Sequence, residues 1–121
     1  SIITCAAPNK KAAQTYQKVP DDLCKLAMED RIAAVLHTAD VNQEDTLILG
    51  AFGCGVFGND VREVAEIFRD QLECAFRGTF KRVVFAVLDH PSYEIMASVY
   101  PAATHQEIEK EESGCCDMGT N

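Results

Sequence analysis

A glycine-rich segment is the part of this 121-residue sequence whose residue types and spacing best suit ligand chemistry. Gly53-Cys-Gly55-Val-Phe-Gly58 follows the pattern G-x-G-x-x-G. Glycines permit positive φ angles and let backbone N–H groups approach a ligand closely, and a helix that begins after them directs its partial positive end to the same point. A phosphate or diphosphate group fits such a turn. The alternative is that the glycines only form a tight corner between a strand and a helix.

Cys54 lies within this glycine turn (residues 51–58), close to the predicted start of a helix, where a thiolate is stabilised. A nucleophilic cysteine would need a histidine partner. His37 lies inside a predicted helix and His105 lies near the C-terminus, so His90, at the end of a neighbouring predicted strand, is the one candidate. We favour the simpler interpretation, in which Cys54 is a small residue that fills the turn.

The other cysteines predict neither a disulfide framework nor a metal site. Cys5, Cys24 and Cys74 lie in apolar or helical patterns, which predicts reduced core residues. Cys115 and Cys116 are adjacent in a polar region, but no histidine or further cysteine lies nearby at ligand spacing. We therefore expect no metal ion and no cofactor.

Composition and charge limit the class of protein. Hydrophobic residues make up 47% of the sequence and charged residues 25%, as in an average folded domain. The net charge of −8 disfavours duplex nucleic acid as a partner, because such binding requires clustered Lys and Arg. No run approaches the ~20 apolar residues that span a bilayer, and no signal-peptide pattern is present. We expect one folded domain without membrane attachment, in the cytoplasm or the nucleus.

Three strands are predicted, over residues 1–5, 46–50 and 81–88, and each is a short apolar run. The second and third fit strands that are covered on both faces. The order strand, helix, strand, helix, strand predicts right-handed βαβ units and a parallel sheet between helices. A sheet of three strands leaves two apolar edges, so we expect self-association through an exposed sheet edge.

Helical spacing is clearest at two places in the sequence. Pro20 opens a helix whose apolar positions, from Leu23 to Ala39, share one face. Asn59 is predicted to cap a second helix, which ends before Gly78. A short last helix is predicted over residues 91–100, and residues 10–19 have no clear period. Residues 104–121 are acidic and almost free of core residues, which predicts a frayed tail.

Two other functional classes could use the same turn. A nucleotide-cofactor oxidoreductase of the Rossmann type would have an acidic residue about 20 positions beyond the glycines, to bind a ribose hydroxyl. Here the next strand ends at Asp89, well beyond that distance, and the motif does not follow the first predicted strand. A third, non-enzymatic interpretation is an interaction module that binds a partner chain through its acidic tail and sheet edge.

The sequence around the turn resembles the C-terminal half of microbial-type poly(ADP-ribose) glycohydrolase. The likeness covers about residues 1–89 and runs through Ala-Pro-Asn at 7–9, Arg31, the segment 46–60 and the segment 80–89. It implies an α/β fold, a three-layer macrodomain-like sheet flanked by helices, of which residues 1–103 form only the C-terminal portion. It also implies ADP-ribose or poly(ADP-ribose) as the ligand.

The resemblance also implies the residues of the site. The turn would wrap the diphosphate and place Phe57 beside the distal ribose. The implied ligand-binding residues are Gly53, Cys54, Gly55, Val56 and Phe57, with Asn9 as a weaker candidate that could equally be a plain turn residue. Hydrolases of this family carry a triple-glycine loop and a Gln-Glu-Glu motif whose glutamate is the general acid, and neither occurs in this sequence. We therefore assign no catalytic residue, and we expect a binding part that is not catalytic alone.

Overall fold

The computed structural model describes residues 1–100 in full, and residues 104–108 and 113–117 by their backbone. This part of the chain forms one four-stranded sheet with the strand order β1-β2-β4-β3. Its elements, in chain order, are α1 Lys10–Gln17, α2 Asp21–Val41, β1 Thr46–Leu49, α3 Val61–Glu73, β2 Arg82–Val87, α4 His90–Val99, β3 Thr104–Ile108 and β4 Ser113–Asp117.

β1 and β2 pair in parallel, with Leu47 opposite Val83, and α3 crosses between them. This unit confirms the predicted α/β class and the parallel pair. β4 pairs with the other edge of β2 in antiparallel orientation, and β3 pairs with β4. The frayed tail predicted from composition is thus corrected over Thr104–Ile108 and Ser113–Asp117, because these backbones pair at a sheet edge that composition does not reveal. The rest of the predicted tail lies outside the described residues.

The predicted strand over residues 1–5 does not form, and Ile2 is exposed. A β-branched run forms a strand only when it pairs with a neighbouring strand, and none of the described strands pairs with residues 1–5. Residues 10–17, for which the sequence shows no clear period, form the helix α1. Asn9 caps this helix, since its Oδ1 accepts a hydrogen bond from Ala12 N at 3.0 Å. α1 has no buried residue, which explains why the sequence shows no apolar period there.

The core lies between the helices and one face of the sheet. Leu47 of β1 and Val83, Phe85 and Val87 of β2 cluster with buried residues of α2, α3 and α4. Ile48, on the opposite face of β1, is 75% exposed. The strands are therefore not covered on both faces by the described residues, and the expected third layer is not confirmed.

The predicted core positions are mostly confirmed. In α2, Met28, Ile32, Leu36 and Ala39 are buried, but Leu23 and Ala27 are exposed, and Cys24 is buried instead. In α3 the predicted face is buried at Val64, Ala65, Phe68 and Leu72.

Of the three cysteines predicted for the core, only Cys24 is buried. Cys5 is half-buried and Cys74 is exposed. Cys74 lies just beyond Glu73, where α3 ends earlier than predicted, so it falls outside the helical face that would have buried it.

Tyr100 connects the end of α4 to α3, because its hydroxyl donates to Ala65 O at 2.6 Å. Among the described helices, none has the length and apolar character needed to cross a membrane.

Candidate functional site

The glycine turn joins the end of β1 to the start of α3. Its backbone closes on itself, because Asn59 N donates to Gly53 O at 3.1 Å and Gly58 N donates to Gly55 O at 3.1 Å. Gly53 and Gly58 adopt φ angles of +72° and +74°, which side-chain-bearing residues rarely adopt. A Cβ at Gly53 would also lie 2.7 Å from Ala7 Cβ. These two glycines are therefore required by the turn itself.

Gly55 differs from the other two glycines. Its φ lies outside the left-handed region, and a Cβ at this position would meet nothing within 4 Å. No contact in the described structure therefore requires a glycine here. The open space beside Gly55 is where a ligand could approach the backbone.

Unpaired backbone donors mark the same part of the turn. Within residues 1–100, the N–H groups of Gly53, Gly55, Val56 and Phe57 donate to no protein acceptor. Successive backbone N–H groups of this kind can bind the oxygens of an anion. Their field is local, so the net charge of the chain does not prevent such binding.

The start of α3 differs from the prediction. Asp60 rather than Asn59 caps the helix, since Asp60 Oδ1 accepts a hydrogen bond from Glu63 N at 3.0 Å. The Asp60 carboxylate therefore already accepts a hydrogen bond at the N-terminus of α3, the helix end that the sequence predicted to point at the ligand. Anion binding at this site would depend on the N–H groups of the turn.

Asn59 connects the turn to the N-terminal segment. It is the one buried polar residue in the described part of the chain. Its Nδ2 donates to Pro8 O and to Gly53 O, each at 2.8 Å. Lys11 N donates to Phe57 O at 2.9 Å, and Arg31 donates to Ala6 O. Residues 5–9, here termed the N-terminal wall, are thereby held against the turn.

Two cavities lie on either side of the glycine turn. The first, of about 430 Å³, separates the turn from the N-terminal wall and is lined by Cys5, Ala6, Ala7, Phe52, Gly53, Gly55, Val56 and Phe57. The second, of about 310 Å³, lies towards the end of β2 and is lined by Gly50, Ala51, Cys54, Gly55, Ala86, Val87, Leu88, Asp89 and Ser92. Gly55 lines both. A ligand bound across the turn would have a cavity at each end.

Four of the predicted site residues, Gly53, Gly55, Val56 and Phe57, line the first cavity, and Cys54 lines the second. Asn9 lines neither, and its side-chain oxygen caps α1. Their roles in ligand binding stay predictions. Cys5 and Ala6 could not be predicted as lining residues, because the wall meets the turn through hydrogen bonds between distant parts of the chain.

The structure disfavours Cys54 as a nucleophile. Burial, together with the negative charges of Asp60 and Asp89, raises the pKa of the Cys54 thiol to about 11. Its Sγ contacts Phe52 O at 3.5 Å. His90 contacts Glu94 rather than Cys54, with Nε2 and Oε1 3.1 Å apart. The Cys54 thiol therefore stays protonated at neutral pH.

No group of three metal-ligating side chains occurs within the described residues.

Comparison with known proteins gives a match at the level of solved structures. No family model matches the chain, and a search of curated proteins finds no match. A crystal structure of poly(ADP-ribose) glycohydrolase from Deinococcus radiodurans in apo form matches with a TM-score of 0.76 and 35% identity, over 79% of this chain and 41% of that chain. A complex of that enzyme with ADP-ribose also gives 0.76 and 35%, over 79% and 40%. Another crystal form of the complex gives 0.70 and 36%, over 78% and 39%.

These matches confirm the resemblance seen in the sequence. The chain is similar in fold and sequence to part of a bacterial poly(ADP-ribose) glycohydrolase. It spans about 40% of the length of the solved glycohydrolases that it matches.

Proposed function

We propose that this chain, a partial poly(ADP-ribose) glycohydrolase in fold and sequence, binds the diphosphate of ADP-ribose or poly(ADP-ribose) through its glycine turn. The observation that carries the proposal is the set of unpaired N–H groups at Gly53, Gly55, Val56 and Phe57. Phosphate oxygens accept hydrogen bonds from such donors. The complexes of the Deinococcus enzyme with ADP-ribose support the choice of ligand.

The two cavities fit the shape of this ligand. In ADP-ribose a diphosphate joins two ribose units, so a diphosphate on the turn would direct one ribose towards each side. Phe57 is half-buried and lines the cavity of about 430 Å³, where its ring can pack against the distal ribose. Cys54 would contribute its backbone and its small protonated side chain on the other side.

We propose further that the chain binds without cleaving. Among the residues that the structure describes in full, Asp89 is the one carboxylate that lines either cavity. Its hydrogen bonds with Ser92 hold the pKa of the Asp89 carboxyl below its usual value. A general acid must carry its proton at the working pH, so Asp89 is unsuited to protonate a glycosidic oxygen. The absence of a Gln-Glu-Glu motif from the 121 residues supports the same conclusion.

Self-association through the sheet edge is also proposed. β1 is at one end of the strand order, so its outer edge is unpaired within the described sheet. Exposed edge strands are templates for pairing with another chain. A second copy of this chain would satisfy the edge of β1.

Calorimetric titration with ADP-ribose tests the proposed function, with NAD and AMP as comparisons. We expect saturable heat with ADP-ribose and weaker binding of AMP, which lacks a diphosphate. A folded sample that gives no heat at millimolar ADP-ribose would contradict the proposal. Tighter binding of NAD than of ADP-ribose would instead favour the oxidoreductase interpretation.

A further inference from the structure

The N-terminal wall forms one side of the larger cavity, yet residues 5–9 belong to no helix or strand. Regular backbone pairing therefore cannot fix its position. Individual hydrogen bonds must hold it: Asn59 donates to Pro8 O, Arg31 donates to Ala6 O, and Lys11, in α1 directly after the wall, donates to Phe57 O. The width of the cavity depends on these bonds.

Asn59 makes the central bond of the three. Its Nδ2 carries two hydrogens, and the two acceptors, Pro8 O and Gly53 O, lie 2.8 Å away. One acceptor belongs to the wall and the other to the turn. The two sides approach each other closely here, because a Cβ at Gly53 would lie 2.7 Å from both Ala7 Cβ and Asn59 Nδ2. One buried amide therefore joins the two sides of the cavity.

We propose that Asn59 is a positioning residue that sets the spacing between the N-terminal wall and the glycine turn, and thereby the affinity of the turn for its ligand. The effect on affinity rests on the proposed function, whereas the effect on spacing does not. The side chain must be a donor, because two carbonyl oxygens face it. Aspartate has the same shape as asparagine but would place a carboxylate oxygen against both carbonyl oxygens, Pro8 O and Gly53 O.

The start of α3 does not depend on Asn59. Asp60 supplies the side-chain cap through Glu63 N. Removal of the Asn59 amide should therefore loosen the wall while α3 stays capped. This separation distinguishes a positioning role from a general contribution to stability, and it makes Asp60→Ala a matched control at the neighbouring position.

The test uses the full chain as Asn59→Ala, Asn59→Asp and Asp60→Ala, with ADP-ribose titrations and amide hydrogen exchange. Lys11, in α1 directly after the wall, reports the contact of this segment with the turn, since its N–H donates to Phe57 O. We expect both Asn59 variants to weaken ADP-ribose binding about tenfold or more and to speed exchange at Lys11 by a similar factor. Asp60→Ala should lower the melting temperature and leave Lys11 exchange unchanged, and the loss of a negative charge beside the turn should not weaken ADP-ribose binding.

Arg31→Ala keeps the test decisive if the Asn59 variants fail to fold. Arg31 extends from α2 to Ala6 O and does not contact the turn in the described structure. Its loss should also speed exchange at Lys11 and weaken binding. Unchanged Lys11 exchange in the folded variants would overturn the proposal, as would equal losses of binding in Asn59→Ala and Asp60→Ala. If the wild-type chain binds no ADP-ribose, the proposed function fails, and Lys11 exchange alone still decides the role of Asn59.

Discussion

Alanine substitutions at Gly53 and Gly55 should separate the stability of the turn from its ligand binding. The two substitutions are chemically identical and lie two residues apart. At Gly53 the new Cβ would lie 2.7 Å from Ala7 Cβ, and φ is +72°. At Gly55 the new Cβ meets nothing within 4 Å, and φ is not left-handed. Gly53→Ala should therefore damage the fold, and Gly55→Ala should affect only a ligand that uses the open space.

The magnitudes follow from these contacts. A left-handed φ costs a side-chain-bearing residue about 1–2 kcal/mol. Forced overlap in a packed site adds about 1–3 kcal/mol. Gly53→Ala should thus destabilise the chain by roughly 2–5 kcal/mol, which lowers the melting temperature by roughly 10–20 °C. Gly55→Ala should stay within about 0.5 kcal/mol of the wild type, as for most surface substitutions.

For ligand binding we expect the opposite order. Relative to the stability that each substitution costs, Gly55→Ala should weaken binding more than Gly53→Ala. A methyl group at Gly55 would keep the ligand from the adjacent N–H groups, and a hydrogen bond to a charged group contributes about 1.5–3 kcal/mol. Loss of one such bond raises the Kd for ADP-ribose about tenfold to a hundredfold. Thermal denaturation and calorimetric titration on the same samples measure both quantities. Wild-type affinity in Gly55→Ala would refute the assignment of the turn as a ligand contact.

Three further outcomes are expected. Because the pKa of Cys54 is raised to about 11, its thiolate is scarce at pH 8, and iodoacetamide should label the exposed Cys74 well before Cys54. Labelling of Cys54 should rise only as the pH approaches 11. Equal labelling rates at pH 8, measured by mass spectrometry, would argue against burial of Cys54. Tyr100→Phe should destabilise the chain by about 1–2 kcal/mol in urea denaturation, since Ala65 O loses its donor, and an unchanged midpoint would contradict that bond. Ile48→Lys places a charge on the exposed edge strand β1 and should yield a monomer by light scattering if the wild type associates through that edge; an unchanged oligomer would exclude this interface.

The helices α2 and α3 could be predicted because their buried faces repeat at helical spacing, as Met28, Ile32 and Phe68 illustrate. β1 and β2 were visible as apolar runs, and the chain order predicted that they pair in parallel. The run at residues 1–5 has the same local character but pairs with none of the described strands. Strand formation depends on partners far along the chain, which a local pattern cannot supply.

The backbone of the site could be predicted from the sequence. The spacing of Gly53, Gly55 and Gly58 indicated a turn with open N–H groups, and the structure contains them. The roles of the next two residues could not be assigned from sequence. Asn59 and Asp60 are both good capping residues, and only the tertiary contact with Pro8 O directs Asn59 into the interior. The raised pKa of Cys54 likewise depends on burial and on distant charges.

A titration of ¹⁵N-labelled protein with ADP-ribose, followed by amide chemical shifts, tests the central claim most directly. We expect the amide signals of four residues to shift together and saturate with one dissociation constant, because their unpaired N–H groups donate to the diphosphate. These residues are Gly53, Gly55, Val56 and Phe57. Amides of α2, such as Leu36, should stay in place. Saturable shifts elsewhere with the four turn signals unmoved would contradict the assignment of the glycine turn as the diphosphate site.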